Sequence, residues 1–202
     1  MKKKFDAIIL ARGGSKGVLK KNIYPVFDKP LIYWSISAAK MSKLINQVYV
    51  STDDKEISII AKSYGAKVIE RPKSISNDDS TSEEAWIHSL EFLKTKSSFP
   101  DIVVGMQPTS PIRERFELDD AISFYEKQMY DSMLSVIEIE DRFIWEKNEL
   151  NQSISINYDY KNRKRRQQIK KKYLETGSFY IFNSNKFLNE KNRLFGKIGL
   201  YE

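Results

Sequence analysis

Short apolar runs alternate with longer amphipathic stretches along most of the chain, and this alternation limits the fold more than any other feature. A short apolar run predicts a buried strand, and an apolar stripe at helical spacing predicts a helix packed on the strands. Together they indicate an α/β domain with a mainly parallel sheet covered on both faces. The predicted strands are 7–11, 47–52, 67–69, 101–106, 132–139 and 178–182, and the predicted helices are 30–42, 56–64, 82–94 and 118–128.

Two of the predicted helices carry recognisable capping residues. Asp53 and Asp54 are expected to cap the helix that follows them, and Gly65 is expected to end it. Thr81 and Glu84 have the spacing of a capping box, which predicts a helix start at residue 82.

Length, charge and composition limit the classes of protein to which the chain can belong. Its 202 residues suffice for one α/β domain, so we interpret 1–202 as a single domain. The net charge of +7 favours anionic ligands such as nucleotides, acidic sugars or nucleic acid. The absence of cysteine excludes disulfides and thiolate catalysis. No apolar run reaches the roughly 18 residues of a membrane helix, so we expect a cytoplasmic protein without a membrane partner.

A glycine-rich, basic loop follows the first predicted strand. Gly13, Gly14 and Gly17 are expected to turn the backbone at positive φ, so that several N–H groups point inward as an anion nest. Phosphate is the expected guest, and a triphosphate suits the charge best. A plain strand-to-helix turn with solvated lysines is the alternative. The cations of this loop are Arg12, Lys16, Lys20 and Lys21.

The loop fits neither common phosphate-binding pattern. Val18 follows Gly17 where a Walker loop has lysine, and the glycine spacing is not that of the dinucleotide fingerprint. The words LARGGSKG at 10–17 and KN at 21–22 instead resemble the signature of the acylneuraminate cytidylyltransferases. The family usually has a proline shortly before KN, where this chain has Val18, Leu19 and Lys20. Further matching words, in the family's order, are VSTDD at 50–54, RP at 71–72, DDSTS at 78–82, QPTSPIR at 107–113, RRQQ at 165–168 and ETGSFYI at 175–181.

This resemblance implies a fold, a reaction and a cofactor. The fold is the three-layer, Rossmann-like fold of the nucleotide-diphospho-sugar transferases. The reaction couples CTP to an acidic nine-carbon keto sugar of the sialic, legionaminic or pseudaminic acid type, giving a CMP-sugar and pyrophosphate. The cofactor is Mg²⁺ or another divalent cation, which the family holds in a D-x-D pattern. Because no D-x-D follows residue 182 before Glu202, we expect the metal ligands beyond Glu202 in a longer natural chain.

The resemblance also assigns residues to the two substrates. Lys21 and Arg12 are the expected catalytic residues, Lys21 on the phosphates and Arg12 against the charge of the β- and γ-groups. Arg71 and Ser82 match positions at the cytidine pocket, where arginine suits the acceptor atoms of cytosine. The other expected CTP-binding residues are Ala11, Gly13, Gly14, Ser15, Lys16, Gly17 and Asn22. The expected sugar-binding residues are Gln107, Thr109, Ser110, Arg166 and Gln167.

Two further residues have a structural interpretation. Arg113 either supports the loop that Gln107 opens or holds the sugar carboxylate, and we favour support. His88, the one histidine of the chain, is interpreted as a structural residue of its helix.

From about residue 139 the sequence changes character, and we interpret 139–176 as an excursion from the main domain. The resemblance implies that this excursion crosses to a partner in a homodimer. The segment contains more apolar residues than we expect for a segment that is exposed to solvent on all sides. They include Phe143, Ile144, Trp145, Ile154 and Ile156.

Two alternative functions stay open. A cytidylyltransferase for the eight-carbon sugar Kdo is one, although Gln107 stands where that family's pattern differs. A nucleic-acid-binding module is the other, because eight of the twelve residues at 161–172 are basic. That module leaves the loop and QPTSPIR unexplained, so we expect no nucleic-acid partner.

Overall fold

The computed structural model of the chain describes residues 3–139, 143–168 and 170–202, and the side chain of Arg166 lies outside the described part. The strands are β1 Phe5–Leu10, β2 Pro25–Val26, β3 Lys29–Pro30, β4 Ile45–Thr52, β5 Lys67–Glu70, β6 Ile102–Met106, β7 Ser132–Ile139, β8 Trp145–Lys147, β9 Ser153–Ser155, β10 Lys172–Asn183 and β11 Ile198–Tyr201. The α-helices are α1 Leu31–Met41, α2 Lys55–Ser63, α3 Ser82–Thr95, α4 Glu117–Gln128 and α5 Ser184–Glu190. Short 3₁₀ helices are Lys21–Ile23, Lys73–Ile75 and Arg166–Gln168.

The chain divides into two compact units. The first holds the chain up to Ser135 together with Thr176–Tyr201, and the second holds Val136–Glu175 with Glu202. The predicted excursion at 139–176 lies almost wholly within the bounds of the second unit. Its proposed role in dimerisation stays a prediction.

A seven-stranded sheet in the order β11-β7-β10-β6-β1-β4-β5 forms the centre of the fold. β1 pairs in parallel with β4 and β6, and β4 pairs in parallel with β5. β10 runs antiparallel to β6, and β11 runs parallel to β7. The predicted α/β architecture with a mainly parallel sheet is therefore confirmed.

Helices cover the two faces of β1. Ala7 and Ile9 belong to a buried cluster with residues of α1, α2 and α4. Ile8 points to the other face, since neighbouring strand residues alternate. There the indole N–H of Trp86 on α3 lies 3.4 Å from the Ile8 carbonyl, and the Trp86 ring packs edge-on against Phe182. Two helical layers thus enclose the sheet.

The capping predictions are confirmed at one helix and half-correct at the other. The Thr81 hydroxyl accepts a hydrogen bond from Glu84 N at 3.2 Å, and the Glu84 carboxylate accepts one from Thr81 N at 2.7 Å. Asp54 caps α2 by accepting from Ile57 N at 2.9 Å. The prediction that Asp53 shares this cap is wrong, because a helix start offers one Ncap position and the Asp53 carboxylate bonds elsewhere.

Several short elements have no counterpart in the sequence predictions. The β2–β3 hairpin has two residues in each strand, and α5 has seven residues. Elements of that length carry too few residues to display a hydrophobic period. No helix within 3–139, 143–168 and 170–202 is both long enough and apolar enough to cross a membrane.

Candidate functional site

A cavity of about 560 Å³ opens beside the carboxyl ends of β1, β5 and β6. Three segments line it: the loop after β1, the segment that begins at Arg71 and ends at Ser82, and the start of the loop after β6. All of these segments belong to the first unit. Ligands of open α/β sheets bind at this end of the strands, where the loops leave the sheet.

The loop after β1 is shaped differently from our expectation. Gly13, Gly14 and Gly17 do not have positive φ, and the left-handed residue of the loop is Lys20, with φ of 53°. Gly13 is needed for space instead, because a Cβ there would lie 2.7 Å from Oδ2 of Asp54. The predicted left-handed glycine turns are therefore wrong, since the chain turns at Lys20 just before the 3₁₀ helix Lys21–Ile23.

Two hydrogen bonds fix the backbone of this loop. The N–H of Gly13 donates to Oδ1 of Asp53 at 3.0 Å, which ties the loop to the end of β4. The buried side-chain amide of Asn22 donates to the Arg12 carbonyl at 2.8 Å, which closes the loop across its base. Asn22 also lines the cavity.

Two of the loop cations share a single carboxylate. Nη2 of Arg12 lies 2.8 Å from Oδ1 of Asp78, and Lys16 Nζ pairs with Oδ2 of the same residue. Nη1 of Arg12 also donates to the Asn77 carbonyl. The hydrogen bond from Lys16 is the main cause that holds the pKa of Asp78 below its ordinary value. The charge of Lys16 and the hydrogen bond and charge of Arg12 act in the same direction. Sequence reasoning did not assign this role to Asp78, because the pairing joins positions 66 residues apart.

The other two cations at the cavity are held differently. Lys21 lines the cavity, and its ammonium group makes no hydrogen bond or ion pair within the described part of the chain. Arg71 lines it too, is only 8% exposed, and has Nε and Nη2 buried without a hydrogen-bond partner among the described residues. Burial lowers the pKa of Arg71, while the charge of Asp53 opposes that shift. A buried guanidinium with unused donors points to an anionic or acceptor-rich ligand.

The first turn of α3 contributes to the wall of the cavity. Ser82 is the first residue of α3 and lines the cavity beside Thr81, whose hydroxyl caps the helix. The helix N-terminus adds a partial positive charge near the cavity. Ser80 and Thr81 line the cavity without having been predicted as site residues.

The loop after β6 forms the remaining side. Gln107 and Thr109 line the cavity, together with Pro108. Arg113 supports this loop from behind: its guanidinium donates to the Gln107 carbonyl at 3.3 Å, the Ser178 carbonyl at 2.8 Å and the Ser35 hydroxyl at 3.1 Å. Burial lowers the pKa of Arg113 to about 10. These contacts favour the structural interpretation of Arg113.

Some predicted site residues do not line the cavity. Ala11 is fully buried and bonds through its N–H to the Ser51 carbonyl at 3.0 Å. Gly13 and Gly14 shape the loop behind the lining residues Ser15, Lys16 and Gly17, and Ser110 is also absent from the wall. Gln167 lies in the 3₁₀ helix Arg166–Gln168 of the second unit. The role predicted for the Arg166 side chain falls outside the described part.

His88 lies on α3 and takes no part in lining the cavity. Its Nδ1 is buried without a hydrogen-bond partner among the described residues, and burial lowers the pKa of the imidazole. A neutral, half-buried histidine fits the structural interpretation of this residue.

The residues at the cavity do not fit a dedicated metal site. Within the described ranges there is no group of three or more His, Asp or Glu side chains arranged to hold an ion. Asp53 accepts from Gly13 N, Asp54 caps α2, and Asp78 pairs with Arg12 and Lys16. These three carboxylates are thus engaged with the protein itself.

Comparison with known proteins identifies a family for this chain. A family model described as cytidylyltransferase matches residues 7–201. The chain is 35% identical over 204 residues to the N-acylneuraminate cytidylyltransferase of Oncorhynchus mykiss, covering 100% of this chain and 46% of that relative. It is 34% identical to the pseudaminic acid cytidylyltransferase of Campylobacter jejuni serotype O:23/36, covering 91% of this chain and 80% of that relative.

The match to a bacterial N-acylneuraminate cytidylyltransferase has a similar identity and coverage. The Escherichia coli O18:K1:H7 protein is 32% identical, with 99% of this chain and 47% of that relative covered. The chain therefore spans about half the length of the N-acylneuraminate relatives that it matches.

Solved structures show the fold. The structure of CMP:2-keto-3-deoxy-manno-octonic acid synthetase complexed with CTP matches with a TM-score of 0.70 at 16% identity, covering 96% of this chain and 79% of that one. A 4-diphosphocytidyl-2C-methyl-D-erythritol synthase matches with a TM-score of 0.70 at 9% identity, covering 100% and 90%. The predicted three-layer nucleotide-diphospho-sugar transferase fold is confirmed.

Proposed function

Because the chain belongs to the cytidylyltransferase family, as its motifs predicted, we propose that it transfers CMP from CTP to an acidic nine-carbon keto sugar. In this reaction the anomeric hydroxyl oxygen of the sugar bonds to the α-phosphorus and loses its proton to the solvent. The bond between the α-phosphorus and the oxygen that joins it to the β-phosphorus breaks. The products are a CMP-sugar and pyrophosphate. Sialic, legionaminic and pseudaminic acids are the proposed substrate class.

The observation that carries this proposal is the burial of Arg71 with unused hydrogen-bond donors at the cavity wall. Its guanidinium is buried at the cavity wall, and Nε and Nη2 have no hydrogen-bond partner among the described residues. A base presenting two adjacent acceptors, as cytosine does with O2 and N3, matches two unused donors of one guanidinium. Ser82, at the start of α3, adds a hydroxyl on the same wall.

The phosphate groups of CTP would lie against the loop after β1. Ser15, Lys16 and Gly17 line this end of the cavity, with Asn22 at the base of the loop. A Cβ at Gly17 would meet no atom within 4 Å, so the backbone is open to close approach. We assign Lys21 to the phosphates at the reacting centre, because its ammonium group is not engaged elsewhere in the described part of the chain. Arg12 would neutralise the charge that grows on the leaving pyrophosphate.

A divalent cation, Mg²⁺ by preference, is the proposed cofactor. Magnesium commonly binds through substrate phosphates with few protein ligands. Asp53, Asp54 and Asp78 are engaged with the protein, so we propose that the triphosphate would supply most of the ligands of the cation.

The sugar would lie beside Gln107 and Thr109, on the side of the cavity that Arg113 supports. We propose that Ser110 shapes this loop from outside the cavity wall. Arg166 and Gln167 belong to the second unit, and we propose that they act in a homodimer on the sugar carboxylate.

The basic run at 161–172 gives less support to nucleic-acid binding than its composition suggested. Lys171 pairs with Glu138, and Lys172 donates to the Asn157 carbonyl at 2.7 Å. The guanidinium of Arg163 lies 4.3 Å from the centre of the Phe143 ring. Several cations of the run thus serve contacts within the second unit.

Pyrophosphate release from CTP tests the proposed function directly. The protein would be assayed with CTP, Mg²⁺ and a panel of nonulosonic acids, with Kdo as the eight-carbon comparison. We expect release that depends on one or more nine-carbon acids. Release with Kdo alone would move the assignment to the alternative family, and no release with any acid would contradict the proposal.

A further inference from the structure

The Asp78 carboxylate occupies the two cations that the phosphates of CTP are proposed to use. Its Oδ1 lies 2.8 Å from Nη2 of Arg12, and its Oδ2 pairs with Lys16 Nζ. A carboxylate and a phosphate present the same kind of paired oxygens to a guanidinium. Asp78 and a polyphosphate therefore compete for one pair of binding partners.

The turn that carries Asp78 is held by its own hydrogen bonds. Oδ1 of Asn77 accepts from the N–H of Asp79 at 3.0 Å and from the Ser80 hydroxyl at 2.9 Å. These two bonds lie within the turn and do not depend on Arg12 or Lys16, although Nη1 of Arg12 also donates to the Asn77 carbonyl; we therefore expect the turn to keep its shape when the two cations change partner. Asp78 then stays within reach of them.

The contacts of Asp78 are exposed, which makes them exchangeable. The side chains of Arg12, Asp78 and Lys16 are 32%, 41% and 83% exposed. Exposed ion pairs are weak because water and salt screen them. A polyphosphate with several negative oxygens can displace one carboxylate, and the carboxylate can return as that anion leaves.

We infer that Asp78 is a positioning residue for product release: it recaptures Arg12 and Lys16 from pyrophosphate and so speeds the departure of that product. This inference rests on the proposed cytidylyl transfer for its place in the cycle. Competition from Asp78 lowers the affinities for CTP and pyrophosphate by a similar factor, but CTP has the further proposed contacts at Arg71 and Ser82, so CTP still binds while pyrophosphate leaves. The carboxylate thereby speeds the departure of pyrophosphate without changing the equilibrium of the reaction.

The neighbouring residue provides a matched control. Asp79 carries the same charge in the same turn, and its carboxylate makes no hydrogen bond or ion pair within the part of the chain that the structure describes. Asp79→Asn thus changes the net charge by the same amount as Asp78→Asn without removing a competitor. The longer carboxylate of Asp78→Glu tests rescue, and Asp78→Ser replaces Asp78→Asn if the latter does not fold.

Calorimetric titration of the full chain with pyrophosphate, without CTP or sugar, is the first measurement. We expect Asp78→Asn to bind pyrophosphate about three- to tenfold more tightly than wild type, from two lost exposed ion pairs. Asp79→Asn should stay within about twofold of wild type, and Asp78→Glu should return towards it. Unchanged or weaker pyrophosphate binding by Asp78→Asn overturns the inference, as does an equal gain in Asp79→Asn.

Turnover provides the second measurement. Asp78→Asn should show stronger product inhibition by pyrophosphate and a lower KM for CTP without a gain in kcat. A purely structural role for Asp78 would instead raise KM and lower the melting temperature. If wild type has no CTP-dependent activity while Asp78→Asn still binds pyrophosphate more tightly, the proposed function fails and the competition stands.

Discussion

The Asp53 carboxylate accepts a hydrogen bond from the Gly13 N–H at 3.0 Å, and this contact joins the end of β4 to the loop that borders the cavity. Replacing Asp53 by alanine leaves that N–H without its acceptor and removes the charge that opposes the pKa shift of Arg71. We expect Asp53→Ala to lower the free energy of unfolding by about 1–2 kcal/mol and to weaken CTP binding. Chemical denaturation and calorimetry measure the two effects.

Asp53→Asn separates the hydrogen bond from the charge. Asparagine keeps a carbonyl acceptor for Gly13 N, so stability should recover more than CTP binding does. Equal behaviour of the alanine and asparagine variants would show that the charge, and not the hydrogen bond, maintains the loop.

Lys21 should be essential for turnover and dispensable for folding. It lines the cavity, and its ammonium group is unengaged within the described ranges, so Lys21→Ala removes no described hydrogen bond or ion pair of that group. We expect at least a tenfold lower kcat from the loss of a few kcal/mol of transition-state stabilisation, with an unchanged melting temperature. Lys127→Ala, on the exposed face of α4, is the matched control. A near-normal kcat for Lys21→Ala would contradict a role of Lys21 in the reaction.

Arg71 should set the preference for CTP. At a hundredfold excess over its Kd, CTP should raise the free energy of unfolding by about 2.7 kcal/mol, and UTP, ATP and GTP should raise it far less. Thermal shift with each nucleotide measures this preference. Equal shifts with all four nucleotides would contradict the cytidine assignment.

Arg71→Met distinguishes a ligand-binding from a structural arginine. Methionine fills the space of the side chain without an unpaired buried charge, so the nucleotide-free stability should hold or rise. The shift caused by CTP should disappear. A large loss of stability in Arg71→Met would instead show that the guanidinium supports the fold.

The second unit should form a homodimer through one face of its β8–β9 hairpin. Ile144 and Ile156 lie opposite each other, with Ile156 N donating to the Ile144 carbonyl at 2.9 Å, and Ile154 shares that face two residues along. The three side chains are 46%, 53% and 40% exposed. We expect a dimer by light scattering at micromolar concentration and a monomer for Ile154→Asp. Leu150→Asp, at the hairpin turn, is the control that should stay dimeric, and a monomeric wild type would refute the interface.

Features that depend on local spacing could be predicted from the sequence. The capping box of Thr81 and Glu84 follows from a three-residue interval, and the prediction of β7 matches its observed bounds because apolar and β-branched residues predominate there. The position of the site at the strand ends also follows from the order of strands and loops. The cavity wall duly contains Arg71, Ser82 and Gln107.

Features that depend on distant contacts could not be predicted. Position 13 has no room for a side chain because Asp54 lies against it. The left-handed turn falls on Lys20, whose Nζ pairs with Glu56 of α2. Nothing in the spacing of RPKSISNDDS distinguishes Asp78 from Asp79, and only the folded chain brings one of them to Arg12. Likewise, the burial that leaves Arg71 with unused donors is a property of the packed segments and not of its neighbours in sequence.

The two ends of the cavity differ in how firmly their walls are held, because Arg113 anchors only one of them. On the side proposed for the sugar, the buried Arg113 guanidinium links the Gln107 backbone to Ser35 of α1 and Ser178 of β10, so this wall is formed without a ligand. On the side proposed for the phosphates, the exposed ion pairs of Asp78 with Arg12 and Lys16 would exchange partners each time a phosphate group binds. Under the proposed function, we therefore expect the sugar to bind to a preformed wall and the slowest step of turnover to be the exchange of partners at Arg12 and Lys16.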